Sequence, residues 1–221
     1  MWCASSARPP ATMDQPEGKL EYYARDCMSY SAEYYEATRS MNYGSVVKVV
    51  TAADGEVWLG HTVAEYPTNG WVKAQREGDK LTVNLPQPID MYYDWYEDDY
   101  YTLYLVPLQS ETVEIDGEEY STFVPADDMT VTFTINADGS VVADRPEIML
   151  GACTWGYDPT SEDEEAENYV WSGFGDTDIT ATPEPEKTLV VPDITPEKWV
   201  WADPYEYGFA NVIVDGNDIY V

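Results

Sequence analysis

The chain is 221 residues long and sets 11 Lys or Arg against 42 Asp or Glu, a formal charge of −31. That length can bury a real core, and a hydrophobic fraction of 44% excludes disorder throughout. The charge excludes nucleic-acid binding, which needs clustered basic side chains against phosphate, and docking on anionic lipid through a basic patch.

The first 15 residues read as a flexible segment. Met1-Trp2-Cys3-Ala4-Ser5-Ser6-Ala7 is small and uncharged and runs into Arg8-Pro9-Pro10. A second reading makes it the tail of an export signal, with Cys3 as a lipid-attachment cysteine. If Cys3 carries lipid, Cys27 and Cys153 are left as the pair available for a disulfide. The chain has no Cys-x-x-Cys and a single histidine, His61, so zinc sites built from Cys and His are excluded. No apolar run is long enough to span a bilayer as a helix.

Strand signals dominate residues 16–150. Val46-Val47-Lys48-Val49-Val50-Thr51 leads through Asp54-Gly55 into Val57-Trp58-Leu59. Trp71 to Gln75 leads through Gly78-Asp79 into Leu81 to Leu85, and Val113 to Ile115 through Asp116-Gly117 into Tyr120 to Phe123. Thr130 to Ile135 leads through Asp138-Gly139 into Val141-Val142, with Val131, Phe133 and Ile135 on the inward face. Glycine at each turn supplies the positive φ that a tight hairpin demands. Four hairpins in series predict an antiparallel all-β meander, closed as a lipocalin-like barrel, with a sandwich and then a propeller fragment as alternatives. Ser31 to Ser40 contains Glu33, Glu36 and Ala37 but is too short and too rich in Tyr to carry a helix.

Residues 151–195 read as an acidic, Pro-containing connection. They hold the run Asp158 to Glu165 and the stiff Thr182-Pro183-Glu184-Pro185, with Tyr169, Val170, Trp171 and Phe174 left to pack or pair. Residues 196–221 read as the truncated start of a second β unit. Phe209 to Val221 repeats the pattern of apolar run, Asp-Gly and apolar-aromatic triplet seen at Val46 to Leu59, at a period of about 160 residues.

Asp54-Gly55, Val57-Trp58-Leu59, Pro67, Trp71-Val72-Lys73 and Gly78-Asp79 together resemble secreted and surface (lipo)proteins of Bacteroidetes with duplicated β-rich units. Ala74 stands where a glycine is common in that group. The resemblance implies an extracellular or outer-surface location and carries no catalytic residues.

The most unusual stretch is Met91 to Tyr104, where seven aromatics stand among four acids. Tyr92, Tyr93, Trp95, Tyr96 and Tyr100 are the candidate platform for stacking on sugar rings. The competing reading packs the aromatics at a sheet end, with Tyr101, Leu103 and Leu105 forming one face of a strand. For calcium the best local oxygen sets are Asp94, Asp98 and Asp99, and Asp158, Ser161 and Asp163, neither of which follows an EF-hand loop. No other cofactor is implied. Lys48, Lys73, Arg76 and Lys80 are clustered, whereas Leu81 to Asp144 contains no Lys or Arg. Local charge balancing is the simplest reading of the four, and the many unpaired acids predict salt-sensitive stability. Among 42 acids some carboxylates must lie in pairs, and no nucleophile elbow or phosphate loop occurs, so an enzyme is not expected. The expectation is a non-catalytic, secreted or cell-surface structural or binding protein. Its partner would be a glycan or another surface protein, with membrane contact only through a lipid anchor. A carbohydrate-binding module is the alternative, and a glycan-active enzyme stands behind it.

Overall fold

Turn chemistry decides where the chain reverses. Gly55 and Gly139 take φ of 90° and 84°, the left-handed region where a Cβ is disfavoured. The computed structural model describes residues 13–33, 36–66, 68–94, 98–115, 117–153, 171–184, 213–215 and 218–220. Two units divide the chain, Met1–Pro185 and Glu186–Val221.

The first unit is all antiparallel β. Its strands are β1 (Lys19–Glu33), β2 (Glu36–Thr51), β3 (Val57–Gly60), β4 (Trp71–Glu77), β5 (Lys80–Asn84) and β6 (Gln87–Asp94). They continue as β7 (Asp99–Ile115), β8 (Glu118–Pro125), β9 (Thr130–Ile135), β10 (Val141–Ala143), β11 (Met149–Cys153) and β12 (Gly173–Pro183). Eight of them close on themselves in the order β1-β2-β3-β4-β5-β9-β10-β12, with β12 returning to β1. This is an up-and-down barrel of lipocalin-like form, and closure removes the exposed edges its strands would otherwise carry. The four predicted hairpins are β2–β3, β4–β5, β7–β8 and β9–β10. Ser31 to Ser40 lies in the β1–β2 hairpin, with Ser31 opposite Thr38 and Ala32 opposite Ala37.

Two features depart from the expected meander. The closing strand, β12, lies beyond residues 16–150, inside the stretch read as a connection. Its Gly175-Asp176-Thr177-Asp178 segment offers no apolar alternation, so composition hid it. The second is the excursion of β6, β7 and β8 between the fifth and sixth barrel strands. That excursion attaches through β11 to the N-terminal half of β12, while β10 pairs with the C-terminal half. Register shifts occur in both ladders of β1, near Gly44 of β2 and Asp178 of β12, both at positive φ. Such bulges bend and twist a strand, and here they lie where β1, β2 and β12 pass from the barrel into the added layer.

The added layer gives β7 and β11 a core on each side. Leu103, Leu105, Leu150 and Ala152 join the barrel core, while Tyr104, Val106, Leu108, Met149 and Cys153 join a second core with Phe123 and Trp171. Leu103 and Leu105 form one face of β7 and its other face is covered as well, and a strand covered on both faces is apolar without alternation. At Gly151 a Cβ would stand 2.4 Å from Leu108 Cδ1, so glycine is needed for the close approach. Cys27 and Cys153 belong to different cores and form no disulfide with each other.

In the second unit, β13 (Ile213–Asp215) pairs with β14 (Asp218–Tyr220), Asp215 opposite Asp218. No helix among the described residues is long and apolar enough to cross a membrane.

Candidate functional site

Alternation along β1 points Glu21, Tyr23, Arg25 and Cys27 into the barrel. Around them lies a cavity of about 100 Å³. Its wall is aliphatic and aromatic: Val49, Leu59, Val72, Val83, Phe133 and Ile179 come from six different barrel strands. Leu105 of β7 and Leu150 of β11 also reach it, so the added layer helps to shape the interior.

The polar groups of the cavity are few and sit towards its two ends. Glu21, Thr51 and Arg76 are at the end where the β2–β3, β4–β5 and β9–β10 turns gather, with Tyr23 one inward position deeper. Burial pushes the Tyr23 phenol above its ordinary value; Glu21 adds to that, and Arg76 and Lys19 oppose it. Arg25 and Thr62 lie deeper. Arg25, 3% exposed, donates from Nε to Ser45 Oγ at 3.0 Å and from Nη1 to the Thr62 carbonyl at 2.7 Å. Thr62 is buried, and its own hydroxyl has no hydrogen-bond partner among the described residues.

Arg25 belongs to a buried polar cluster that ties three segments together. Asp176 of β12, fully buried, lies 3.5 Å from Arg25 Nη1. It also accepts the Ser29 hydroxyl at 2.8 Å and the Ala64 N–H at 2.7 Å. Burial raises the Asp176 carboxyl above the usual range, with Arg25 and the two hydrogen bonds pulling it down; burial likewise lowers Arg25. Cys27 lies beside Ser29, and burial pushes its thiol up to about 11, so it is a packed thiol and not a nucleophile. This cluster pins residues 62–64 against the barrel through β1 and β12.

His61 precedes that loop and takes φ of 56°. A non-glycine residue held there costs of order 1–3 kcal/mol unless its surroundings compensate. Burial lowers its pKa below 6.5, with Lys48 and Arg25 adding to the effect. Between that lowered value and 6.5 the unfolded chain binds a proton that the folded chain resists, so this residue makes stability fall as pH falls through that window. Urea unfolding of His61→Gln beside the wild type, at intervals from pH 7.5 to 5, is expected to show a flatter profile in the variant.

The aromatic stretch is only partly brought together. Tyr93 pairs with Tyr100 across the β6–β7 hairpin, their rings 5.0 Å apart and tilted by 50°. Tyr100 is 64% exposed, and the Tyr93 hydroxyl donates to the Asp98 carboxylate. Tyr92 is placed opposite Tyr101 in the ladder, and Trp95 and Tyr96 lie outside the described residues. Asp94 stands opposite Asp99 in the same ladder, and Asp98 is an exposed turn residue at φ 54°. Asp158, Ser161, Asp163 and Cys3 lie outside the described residues. Among the described residues, no group of three or more His, Cys, Asp or Glu is arranged to hold a metal ion.

The four clustered basic residues separate. Lys73 pairs with Glu56 and lies 5.7 Å from the centre of the Trp58 ring, and Lys80 pairs with Asp144 at 2.7 Å. Those two balance local acids. Arg76 reaches the barrel cavity, and Lys48 lines a separate cleft. Sequence reasoning missed Arg25, Thr62 and Asp176. The signal for Arg25 was present, since it shares the inward parity of Cys27; Asp176, in a Gly/Asp/Thr run, gave none.

No protein-family model, curated protein or solved structure matches the chain.

Proposed function

We propose that this chain is a non-catalytic binding protein whose barrel holds a small, mostly apolar molecule bearing one polar atom. The observation that carries this reading is the apolar cavity with the unpartnered Thr62 hydroxyl beside Arg25. A buried hydroxyl without a partner costs about 1–3 kcal/mol, and a ligand oxygen at that depth removes the cost. Size limits the ligand. A dry cavity of ~150 Å³ accepts benzene, so about 100 Å³ suits a short chain or a single small ring. With so few atoms the affinity falls in the micromolar range or weaker.

The test is titration of the methyl NMR spectrum with short-chain alcohols, ketones and small aromatics. Saturable shifts at Val49, Val83 and Ile179 are expected. Val49→Phe fills the cavity from the β2 wall and is expected to weaken binding at least tenfold while the chain remains folded. Absence of saturable shifts with every probe would overturn the reading.

The resemblance in the β2–β5 region supports placement outside the cell or on its outer surface, with Cys3 as the lipid-bearing residue. A second reading rests on the Tyr93–Tyr100 pair, whose exposed member Tyr100 is a candidate ring for stacking on a sugar, with Asp98 bonded to Tyr93 beside it. Retention on a glycan array that disappears in Tyr100→Ala would favour it.

A further inference from the structure

Beside the barrel, and separate from its cavity, lies a cleft of about 180 Å³ between the chain before β1 and the β3–β4 connection. Gln15, Lys48, His61, Thr68 and Asn69 line it, with Trp71 packed over Gly60 in its wall. We propose that this cleft is a binding site for a small oxyanion, a carboxylate or a phosphate group.

Three observations support the assignment. First, among the described residues the lining contains one cationic side chain, Lys48, beside the hydrogen-bonding Gln15, His61, Thr68 and Asn69, and no carboxylate. In a chain with 42 acids and 11 Lys or Arg, such a wall runs against composition. Lys48 makes no ion pair among the described residues, whereas Lys73 and Lys80 each have one. Second, Thr68 is fully buried in this wall, and its hydroxyl has no hydrogen-bond partner among the described residues. An oxygen of a bound anion is the acceptor it lacks. Third, the backbone is shaped to place His61 here, since this residue occupies the left-handed region between β3 and the loop fastened by Asp176.

The surrounding charges are consistent with that reading. Burial lowers the His61 pKa, with Lys48 and Arg25 adding to the effect, so the site disfavours the imidazolium. A bound anion reverses that balance and favours the imidazolium. One carboxylate tied to the cleft is Asp90, whose oxygens accept the Asn69 N–H at 3.3 Å and the Met91 N–H at 2.8 Å; Asp14 lies in sequence between the lining residues Met13 and Gln15. The large net negative charge of the chain opposes anions at long range, but at physiological salt its field is screened beyond roughly 8 Å. Within that distance Lys48 is the cationic side chain of the lining.

His61 is the only histidine, so its imidazole signals in NMR need no assignment. The experiment titrates the folded chain with inorganic phosphate in one arm and acetate in another, holding ionic strength with sodium chloride. Saturable shifts of the His61 ring are expected, together with a rise of its pKa by about one pH unit at saturation. Lys48→Gln is expected to weaken binding at least fivefold. Thr68→Val, which keeps the volume and deletes the hydroxyl, is expected to weaken it by two- to fivefold. Saturation by phosphate alone would identify a tetrahedral ligand, and saturation by acetate alone a carboxylate; either supports the site. Shifts no larger than those given by chloride, or equal affinity in wild type and Lys48→Gln, would overturn it.

Discussion

Asp176→Ala is expected to lower the stability of the first unit by about 3–5 kcal/mol, the usual cost of removing one partner from a buried ion pair. The substitution leaves the Arg25 charge in a site only 3% exposed, and it strips an acceptor from both the Ser29 hydroxyl and the Ala64 N–H. For a unit of this size that corresponds to a fall of about 1–2 M in the urea midpoint. Asp176→Asn keeps the shape and one acceptor oxygen and should fall between. The informative control is Arg25→Met combined with Asp176→Leu. Desolvation of both charges is unfavourable, as the opposite displacements of their pKa values indicate, so the neutral apolar pair should recover most of the loss. If the double variant is as unstable as the sum of the singles, the two groups are not one coupled unit. Hydrogen exchange at the Ala64 amide supplies a local readout, because that N–H loses its acceptor in Asp176→Ala and exchanges faster even where the fold persists. Ligand uptake by the barrel should weaken as well, since Arg25 and Thr62 form the deeper part of the cavity.

The same cluster shows what the sequence could reveal and what it could not. Turn chemistry is local, so Asp54-Gly55 and Ala137-Asp138-Gly139 marked their hairpins without knowledge of the rest of the chain. The half-buried β9 alternated Thr with Val131, Phe133 and Ile135 and was readable for the same reason. Barrel closure is not local. It depends on β12 meeting β1 across nearly the whole unit, with Tyr23 opposite Pro183 and Ala32 opposite Gly173. β12 places Asp176 among its buried positions and Asp178 at its bulge, which leaves only Ile179 and Ala181 as a short apolar alternation, too little to announce a strand. The strands between the two cores, β7 and β11, escaped the sequence reading for a different reason. β7 and β11 are covered on both faces, and a continuous apolar run such as Leu103 to Leu108 does not state which face meets which core. The candidate sites followed the same division. A tyrosine-rich hairpin was visible as composition, whereas a cavity assembled from many strands, and a cleft placing Lys48 beside His61 and Thr68, exist only after the pairings are made.

Trp171→Ala is expected to cost about 3–5 kcal/mol, the range for deleting a fully buried aromatic ring. Trp171 is 0% exposed. Its ring meets Phe123 edge-on at 5.7 Å, and Phe123 in turn meets Tyr30 of β1 at 5.1 Å. Its backbone N–H donates to the Phe123 carbonyl at 3.0 Å, an anchor that any side chain retains. The ring thus fills the space between β8, β11 and the long β1–β2 hairpin, and its loss opens a cavity bounded by Leu108 and Gly151, neither of which has the bulk to refill it. Trp171→Phe should recover roughly half of the loss by restoring part of the volume and the edge contact. The consequence reaches beyond the second core. Two residues after Trp171 the chain enters β12, which closes the barrel against β1 and carries Asp176. Loosening the entry to β12 therefore weakens closure as well as packing. Unfolding by urea, followed by far-ultraviolet circular dichroism and by amide exchange in β3 to β5, should show both signals moving to lower denaturant together in Trp171→Ala. If exchange in β3 to β5 stays at its wild-type protection while β8 and β11 open, the barrel and the second core are separate cooperative units, and closure by β12 does not depend on the ring that precedes it.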